Sequence, residues 1–292
     1  MATKYPTVNQ IKRHDFGGLP AHWVSDWLLQ VLQKPASFLI TDGDYQLSTS
    51  EQSDFDAGIS QMQAGTPLAY LIGKQAFWSL EFEVNEHTLI PRPDTEVLVE
   101  QVLNWIKINH QDLPHNSDTQ PKQLLDLGTG SGCIALSLAH ELDNIYPKQW
   151  QVTAIDYSKL ALEVAQRNAQ RNQVSNIDFT QSDWFSAIKP DCKFDVIVSN
   201  PPYIVENDKH LTKLKAEPLS ALVATDNGLA DIRQIAEQAR QYLAIGGLLA
   251  VEHGFDQGEA VREIFTTNAY DQVHTVQDYG GNDRVTLGVY RG

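Results

Sequence analysis

The sequence predicts an α/β protein with a mostly parallel sheet whose last strand is reversed, preceded by a small helical domain and a β-hairpin. Three observations carry this. From Gln123 onward, short apolar runs rich in β-branched residues alternate with helical patterns, the layout of βαβ units. Through about residue 70, apolar residues recur only at helical spacing. Between the two, from Ala76 to Val84, the period changes to two.

At the amino end, Trp23, Val24, Trp27, Leu28, Val31 and Leu32 describe one helix that Pro35 breaks. A second helix spans Glu51 to Ala64, with Phe55, Ile59 and Met62 on one face. Both stripes read as the core of an accessory domain able to recognise a partner. The stretch from Ala76 to Val84 sets Trp78, Leu80, Phe82 and Val84 against Ser79, Glu81 and Glu83, which predicts one strand of a half-exposed hairpin. In the segment from Thr88 to Glu96, Pro91 and Pro93 stiffen an extended approach. Asp94 is placed to cap a helix through Val97, Leu98, Val102, Leu103 and Ile106. Arg92, held between the prolines, suits a carboxylate or substrate contact, or an ion pair with Glu96. The polar stretch from His110 to Lys122 reads as a linker. The expected domains are residues 1–73, a hairpin and linker at 74–92, and a larger domain at 93–292.

The larger domain begins with a strand from Leu124 to Leu127 that runs into Gly128-Thr-Gly-Ser-Gly132, then a helix from Cys133 to about Leu142. Glycines there let backbone N–H groups approach a ligand, and the helix amino end adds positive potential. The pattern is G-x-G-x-G after Asp126, unlike the G-x-G-x-x-G of hydride-transfer cofactors, and no Walker lysine follows. The next strand, Gln151 to Ile155, ends in Asp156, placed to accept both hydroxyls of an adenosine ribose. The competing role is an N-cap, for which Ser158 is available. After Ile177 to Thr180 comes Ser182-Asp183-Trp184, an aromatic wall for an adenine beside a carboxylate, or simply a packed ring. The fourth strand, Phe194 to Val198, delivers Asn200-Pro201-Pro202-Tyr203. Gly228 to Asp231 opens a helix to about Leu243, which Gly246-Gly247 breaks. Leu248 to Glu252 is the fifth strand, followed by a helix from Gln257 to Thr267. Val273 to Asp278 and Val285 to Tyr290 are joined too shortly for a parallel crossover, so the last strand runs antiparallel.

A rigid Asn-Pro-Pro-Tyr loop at a strand's carboxyl end points to group transfer onto a planar nitrogen. Such a nitrogen carries two N–H donors and a delocalised lone pair. The Asn200 side-chain oxygen and the Pro201 carbonyl each accept one donor, aiming the lone pair at an electrophile, while Tyr203 stacks on the flat group. The formal charge of −15 disfavours non-specific attraction to nucleic acid or an anionic membrane. Cys133 and Cys192 form no CxxC pair, and the nine histidines show no HExxH, so no metal site is expected. No apolar run approaches a membrane span, Met1 to Tyr5 precede no signal-like stretch, and a cytoplasmic location is expected.

Four stretches taken together are specific: Leu-Ile-Pro-Arg-Pro-Asp-Thr-Glu at 89–96, Asp-Leu-Gly-Thr-Gly-Ser-Gly at 126–132, Ser-Asn-Pro-Pro-Tyr-Ile at 199–204 and Glu-Pro-Leu-Ser-Ala-Leu at 217–222. With Asp-Arg-Val-Thr-Leu-Gly at 283–288 and the helical amino end, nearly the whole chain resembles the bacterial peptide-chain release factor glutamine methyltransferases, the PrmC/HemK family. The resemblance implies a class I, Rossmann-like methyltransferase fold with seven strands. It implies transfer of a methyl group from S-adenosylmethionine to the side-chain nitrogen of the glutamine in the Gly-Gly-Gln motif of release factors. By position, Gly128, Thr129, Gly130, Ser131, Gly132, Asp156, Trp184 and Asn200 would contact the donor. Asn200, Pro201, Pro202 and Tyr203 would hold the glutamine, with Asn200, Pro201 and Tyr203 catalytic and Leu89 or Ile90 walling its stem. Asp94 stands where the family commonly has Glu. The rival readings are a ribosomal-protein glutamine methyltransferase, an adenine-N6 DNA methyltransferase, and a donor-binding protein that has lost catalysis. The charge of −15 and the lack of a basic insert oppose the DNA enzyme.

Overall fold

The computed structural model describes residues 6–110 and 120–292; most of the expected linker, 111–119, lies outside the described residues. The chain forms two compact units, residues 1–74 and 75–292.

The first unit is helical: α1 Val8–Arg13, α2 Ala21–Leu32, α3 Phe38–Thr41, α4 Thr49–Gln63 and α5 Leu68–Ile72. Capping boxes start two of them, Thr7 with Gln10 for α1 and Ser48 with Glu51 for α4. α2 stops at Leu32 because Gln33 turns left-handed (φ 53°) ahead of Pro35. The expected stripes meet in the core, Val24, Leu28 and Leu32 against Phe55, Ile59 and Met62. Gly58 lets the Trp27 ring lie on α4, since a Cβ there would come within 2.1 Å of it, and the indole N–H donates to the Phe55 carbonyl at 3.1 Å.

β1 Lys74–Phe77, which begins on the last residue of the first unit, and β2 Leu80–Glu83 open the second. The stretch read as one strand is therefore the hairpin itself, turned at Trp78, whose φ is +54°. Phe77 and Phe82 are the buried pair rather than Trp78 and Phe82, their rings edge to face at 6.1 Å. The hairpin packs on its own unit: Asn168 Oδ1 accepts the Glu83 N–H at 2.6 Å, and Glu83 pairs with Arg167 at 2.7 Å.

A 3-10 turn, Pro93–Thr95, leads into α6 Glu96–Asn109. Asp94 does not cap this helix. Pro93, with its ring-locked φ, starts the helical turn one residue early and carries Asp94 inside it, where its carboxylate faces Arg284 at 3.6 Å.

The remaining elements are β3 Lys122–Leu127, α7 Cys133–Ile145, β4 Trp150–Asp156, α8 Lys159–Arg171, β5 Ile177–Gln181, β6 Phe194–Ser199, β7 Ile204–Val205, β8 Val223–Ala224, α9 Thr225–Gly228, α10 Ala230–Ala239, β9 Leu243–Glu252, α11 Gly258–Thr267, β10 Tyr270–Gln277 and β11 Asp283–Tyr290. Seven strands form one sheet in the order β10-β11-β9-β6-β3-β4-β5. As expected, β11 is the reversed strand, antiparallel to both β9 and β10. The central strands are largely apolar because both faces are covered. Leu124, Val196 and Val198 belong to the core on the α6 and α7 side, and Leu125, Leu127 and Ile197 to the core on the α10 and α11 side.

One expected boundary moves. α10 ends at Ala239, and β9 starts at Leu243, so Gly246 and Gly247 lie within a strand instead of ending a helix. The sheet register explains it. Phe194 pairs with Leu243 and Val196 with Leu248, so five steps of β9 oppose two of β6. The excess is absorbed where Gly246 adopts φ +86°. No helix among the described residues is long and apolar enough to cross a membrane.

Candidate active site

The strand register sets the site. Leu127 of β3 pairs with Ile155 of β4 and with Ser199 of β6. The next residue in each strand direction is Gly128, Asp156 and Asn200, so the three predicted motifs emerge side by side at the carboxyl edge of the sheet. A cavity of about 360 Å³ at that edge is lined by Gly128, Gly130, Asp156, Trp184, Asn200, Pro201 and Pro202. The glycine loop and the Asn-Pro-Pro segment thus open into one space.

Gly128 (φ 72°) and Gly130 (φ 56°) hold left-handed backbone that a side chain would strain. The loop is fastened to β4: Gly130 N–H donates to Asp156 Oδ2 and Ser158 N–H to Oδ1, both at 2.8 Å. Burial pushes the Asp156 carboxyl up, and the two backbone donors draw it back. Each oxygen keeps acceptor capacity toward the cavity, which suits a pair of ribose hydroxyls. Ser158 caps α8 by accepting the Ala161 N–H, so Asp156 is not needed there. Trp184, left-handed at φ 43°, lays its ring next to Gly128, where an added Cβ would stand 3.7 Å from it.

At the other end, Asn200 Nδ2 donates to Thr95 Oγ1 at 3.2 Å, which leaves Oδ1 as the acceptor of that amide. Pro201 is buried and Pro202 half-buried. Tyr203, expected to stack on the substrate, is not among the residues lining the cavity. Its hydroxyl donates to Glu252 at 3.3 Å, and its carbonyl accepts the Gln257 side-chain amide at 3.1 Å. These ties turn the ring toward the core. Gly228 is required beneath it, because a Cβ there would lie 2.1 Å from the Tyr203 carbonyl oxygen.

Thr129, Ser131 and Gly132 lie outside the lining; Thr129 and Ser131 are buried beneath the loop, and Thr129 N–H ties it to the Ile155 carbonyl at 2.8 Å. Below them Asp126 is fully buried, and desolvation pushes its carboxyl up to about 7. Of the two candidates for the apolar wall, Leu89 lines the cavity and Ile90 is buried.

Arg92 does not pair with Glu96, which accepts the Trp78 N–H, and it is not among the residues lining the cavity. It meets Glu217, a buried carboxylate whose second oxygen accepts the Ile90 N–H at 3.0 Å. Glu217 therefore ties the 89–92 segment to the loop that carries Pro218, Ser220 and Ala221, and both line the cavity. Sequence reasoning assigned Glu217 no role and passed over Thr95 and Glu252. The available signal was a charged residue closing an apolar strand, Leu-Leu-Ala-Val-Glu252, at the same sheet edge.

The fold and this edge define a methyltransferase. Residues 118–283 match a family described as Methyltransferase domain. A methyltransferase from Pyrococcus furiosus shares the fold with a TM-score of 0.50 at 19% identity, over 81% of this chain and 99% of that one. A 16S rRNA N2 G1207 methyltransferase from T. thermophilus, solved with AdoMet and guanosine, superposes with a TM-score of 0.52 at 16% identity, over 75% of this chain and 50% of that one. Residues 20–73 match the PrmC N-terminal domain.

The chain belongs to the release factor glutamine methyltransferases. It is 46% identical over 265 residues to the member from Escherichia coli (strain K12), covering 90% of each chain. To the member from Vibrio cholerae serotype O1 it is 47% identical over 266 residues, covering 90% of this chain and 87% of that one.

Proposed function

We propose that this protein methylates the side-chain amide nitrogen (N5) of the glutamine in the Gly-Gly-Gln motif of peptide-chain release factors, using S-adenosylmethionine in the cytoplasm and thereby modulating translation termination. The observation that carries the reading is the single cavity reaching from Gly128, Asp156 and Trp184 to Asn200, Pro201 and Pro202. The family membership supports the substrate class.

The residues at the first end fit the donor. Left-handed Gly128 and Gly130 leave backbone open to a close approach, Asp156 offers acceptors for the ribose, and Trp184 offers a face for the purine. Thr129, Ser131 and Gly132 serve this end by holding the loop's shape. S-adenosylmethionine would supply an electrophilic methyl carbon on a sulfonium, with the S–C bond electrons leaving on the sulfur of S-adenosylhomocysteine as the new N–C bond forms. At the second end, Asn200 Oδ1 and the Pro201 carbonyl each accept one N–H of the glutamine amide. Two acceptors on a ring-locked loop remove the amide's rotational freedom and set its nitrogen in line with the methyl carbon. Positive charge grows on that nitrogen as the bond forms, and the same oxygens already stand where it appears. Proton loss follows transfer, so no strong base is needed to begin. Leu89 and Pro202 cover the aliphatic stem, and Tyr203 braces the loop through Glu252 and Gln257.

The test is incubation with labelled donor and a purified release factor, followed by mapping of the added methyl by mass spectrometry. One methyl on the Gly-Gly-Gln glutamine is expected. A release factor left unmodified at that residue, with the donor shown to bind, would overturn the substrate.

A further inference from the structure

Behind Asn200 lies a buried acid that methyl transfer, as derived above, does not use. Ser199 of β6 pairs with Val251 of β9, so Asn200 and Glu252 are lateral neighbours one residue further on. Glu252 is 1% exposed and Thr95 2%. The Glu252 Oε1 accepts the Tyr203 hydroxyl at 3.3 Å. The Thr95 hydroxyl accepts the Asn200 amide N–H at 3.2 Å, so its own proton is free to be donated. Beside it stands Glu252, whose Oε2 has no hydrogen-bond partner among the described residues and whose ionised form that hydroxyl favours. Both ends of the Asn-Pro-Pro-Tyr loop therefore refer to one carboxyl group.

We propose that Glu252 is a positioning residue for the transfer step, acting through Thr95 to orient the Asn200 amide, and that only its ionised form does so. This rests on the reaction proposed above. A carboxylate accepts from Thr95 and Tyr203 together, which gives the chain one direction: Asn200 N–H to Thr95 oxygen, Thr95 O–H to Glu252. With Nδ2 so engaged, Oδ1 faces the substrate amide, and donation toward a negative group polarises it further. A protonated Glu252 has one oxygen left as a full acceptor and a proton of its own to donate, so it no longer takes the Tyr203 and Thr95 hydroxyl protons together, and the single direction of the chain through Thr95 is lost.

The charges around Glu252 let it change state near neutrality. Burial pushes its carboxyl up to about 7 against the pull of Thr95, Arg284 and Tyr203, while Asp94 adds to the rise. Arg284 is itself held by Asp278 at 2.9 Å. Burial and Glu252 keep Tyr203 protonated, and burial lifts Cys133 to about 12, so neither competes for the charge. Asp126 also stands at about 7, and only a substitution separates the two acids.

The experiment uses the full-length protein and a purified release factor at saturating donor, with kcat and KM measured from about pH 6 to about pH 8.5. Wild-type kcat should fall as pH drops through about 7. Thr95→Val, which keeps the shape and removes the hydroxyl, should lose about tenfold in kcat with donor affinity unchanged, and Thr95→Ser should restore most of it. Glu252→Gln should lower kcat comparably and flatten the profile. A Thr95→Val enzyme at wild-type kcat, or a Glu252→Gln enzyme that keeps the wild-type profile, overturns the proposal. If Glu252→Gln does not fold, the two Thr95 variants still decide. A wild-type protein that leaves the glutamine unmethylated would defeat the proposed reaction instead, so the two failures are distinguishable.

Discussion

The two ends of the cavity are held in different ways. The glycine-loop end is fastened by backbone: N–H groups of Gly130 and Ser158 on Asp156, and the Thr129 N–H on the Ile155 carbonyl. The Asn200 end is fastened by side chains brought from far along the chain: Thr95 on Asn200, Glu252 on Tyr203, Gln257 on the Tyr203 carbonyl, and Glu217 on Arg92 and Ile90. Backbone geometry suits a ligand of constant shape. Side-chain braces suit an amide that must be aimed, because each brace removes one rotation from the acceptors.

Substitutions should therefore separate the ends. The largest effect is expected for Asn200→Ala, with turnover falling by about 10² to 10³ or more while donor binding stays measurable by calorimetry. Wild-type turnover in that variant would erase the distinction between the ends. Asp156→Ala should act in the opposite sense, weakening donor affinity by about 2 kcal/mol through the loss of a buried charged acceptor, with kcat at saturating donor much less affected. Equal losses in both parameters would mean that Asp156 is not confined to the donor end.

Glu217→Ala should sharpen the contrast from the other side. It frees the 89–92 segment from the 217–222 loop, so KM for the release factor should rise and denaturant stability fall by about 1–3 kcal/mol, with donor affinity unchanged. A drop in donor affinity alone would place this clamp at the wrong end. The smallest effect concerns Asp126 beneath the glycine loop. Its carboxyl is raised in the folded protein from 3.8 to about 7, so the native state keeps a proton that the unfolded chain has released. Stability from this group is therefore highest below about pH 4 and declines until about pH 7, above which the whole cost is present. Asp126→Asn should flatten that slope and stabilise the donor-free protein at pH 8 by on the order of 1–3 kcal/mol, read as a higher thermal midpoint. An unchanged pH slope would show that Asp126 is not what sets it.

Much of the first end was legible in the residues alone. Gly128 and Asn200 each follow a strand and Asp156 ends one, and in a parallel sheet every such residue emerges at the same edge whatever the loops between do. The core stripes of α2 and α4 were equally plain, because a helical face can be counted from local spacing. The misreadings share a cause. A period of two continues through a tight turn, so the hairpin at Trp78 looked like one strand. A glycine pair ends a helix or forms a bulge with the same residues, and only the pairing of β6 with β9 decides which.

By itself, then, the sequence determined the class of fold, the strand-end motifs and the family, since these depend on neighbours within a few residues or on recognisable strings. Tertiary structure decided which acids stand behind the motifs. Arg92 meets a partner 125 positions away in Glu217, and Asn200 one 105 away in Thr95. Tyr203 lies 49 positions from Glu252. A buried carboxylate needs donors from wherever the fold can supply them, and no local pattern records which distant segment will do so.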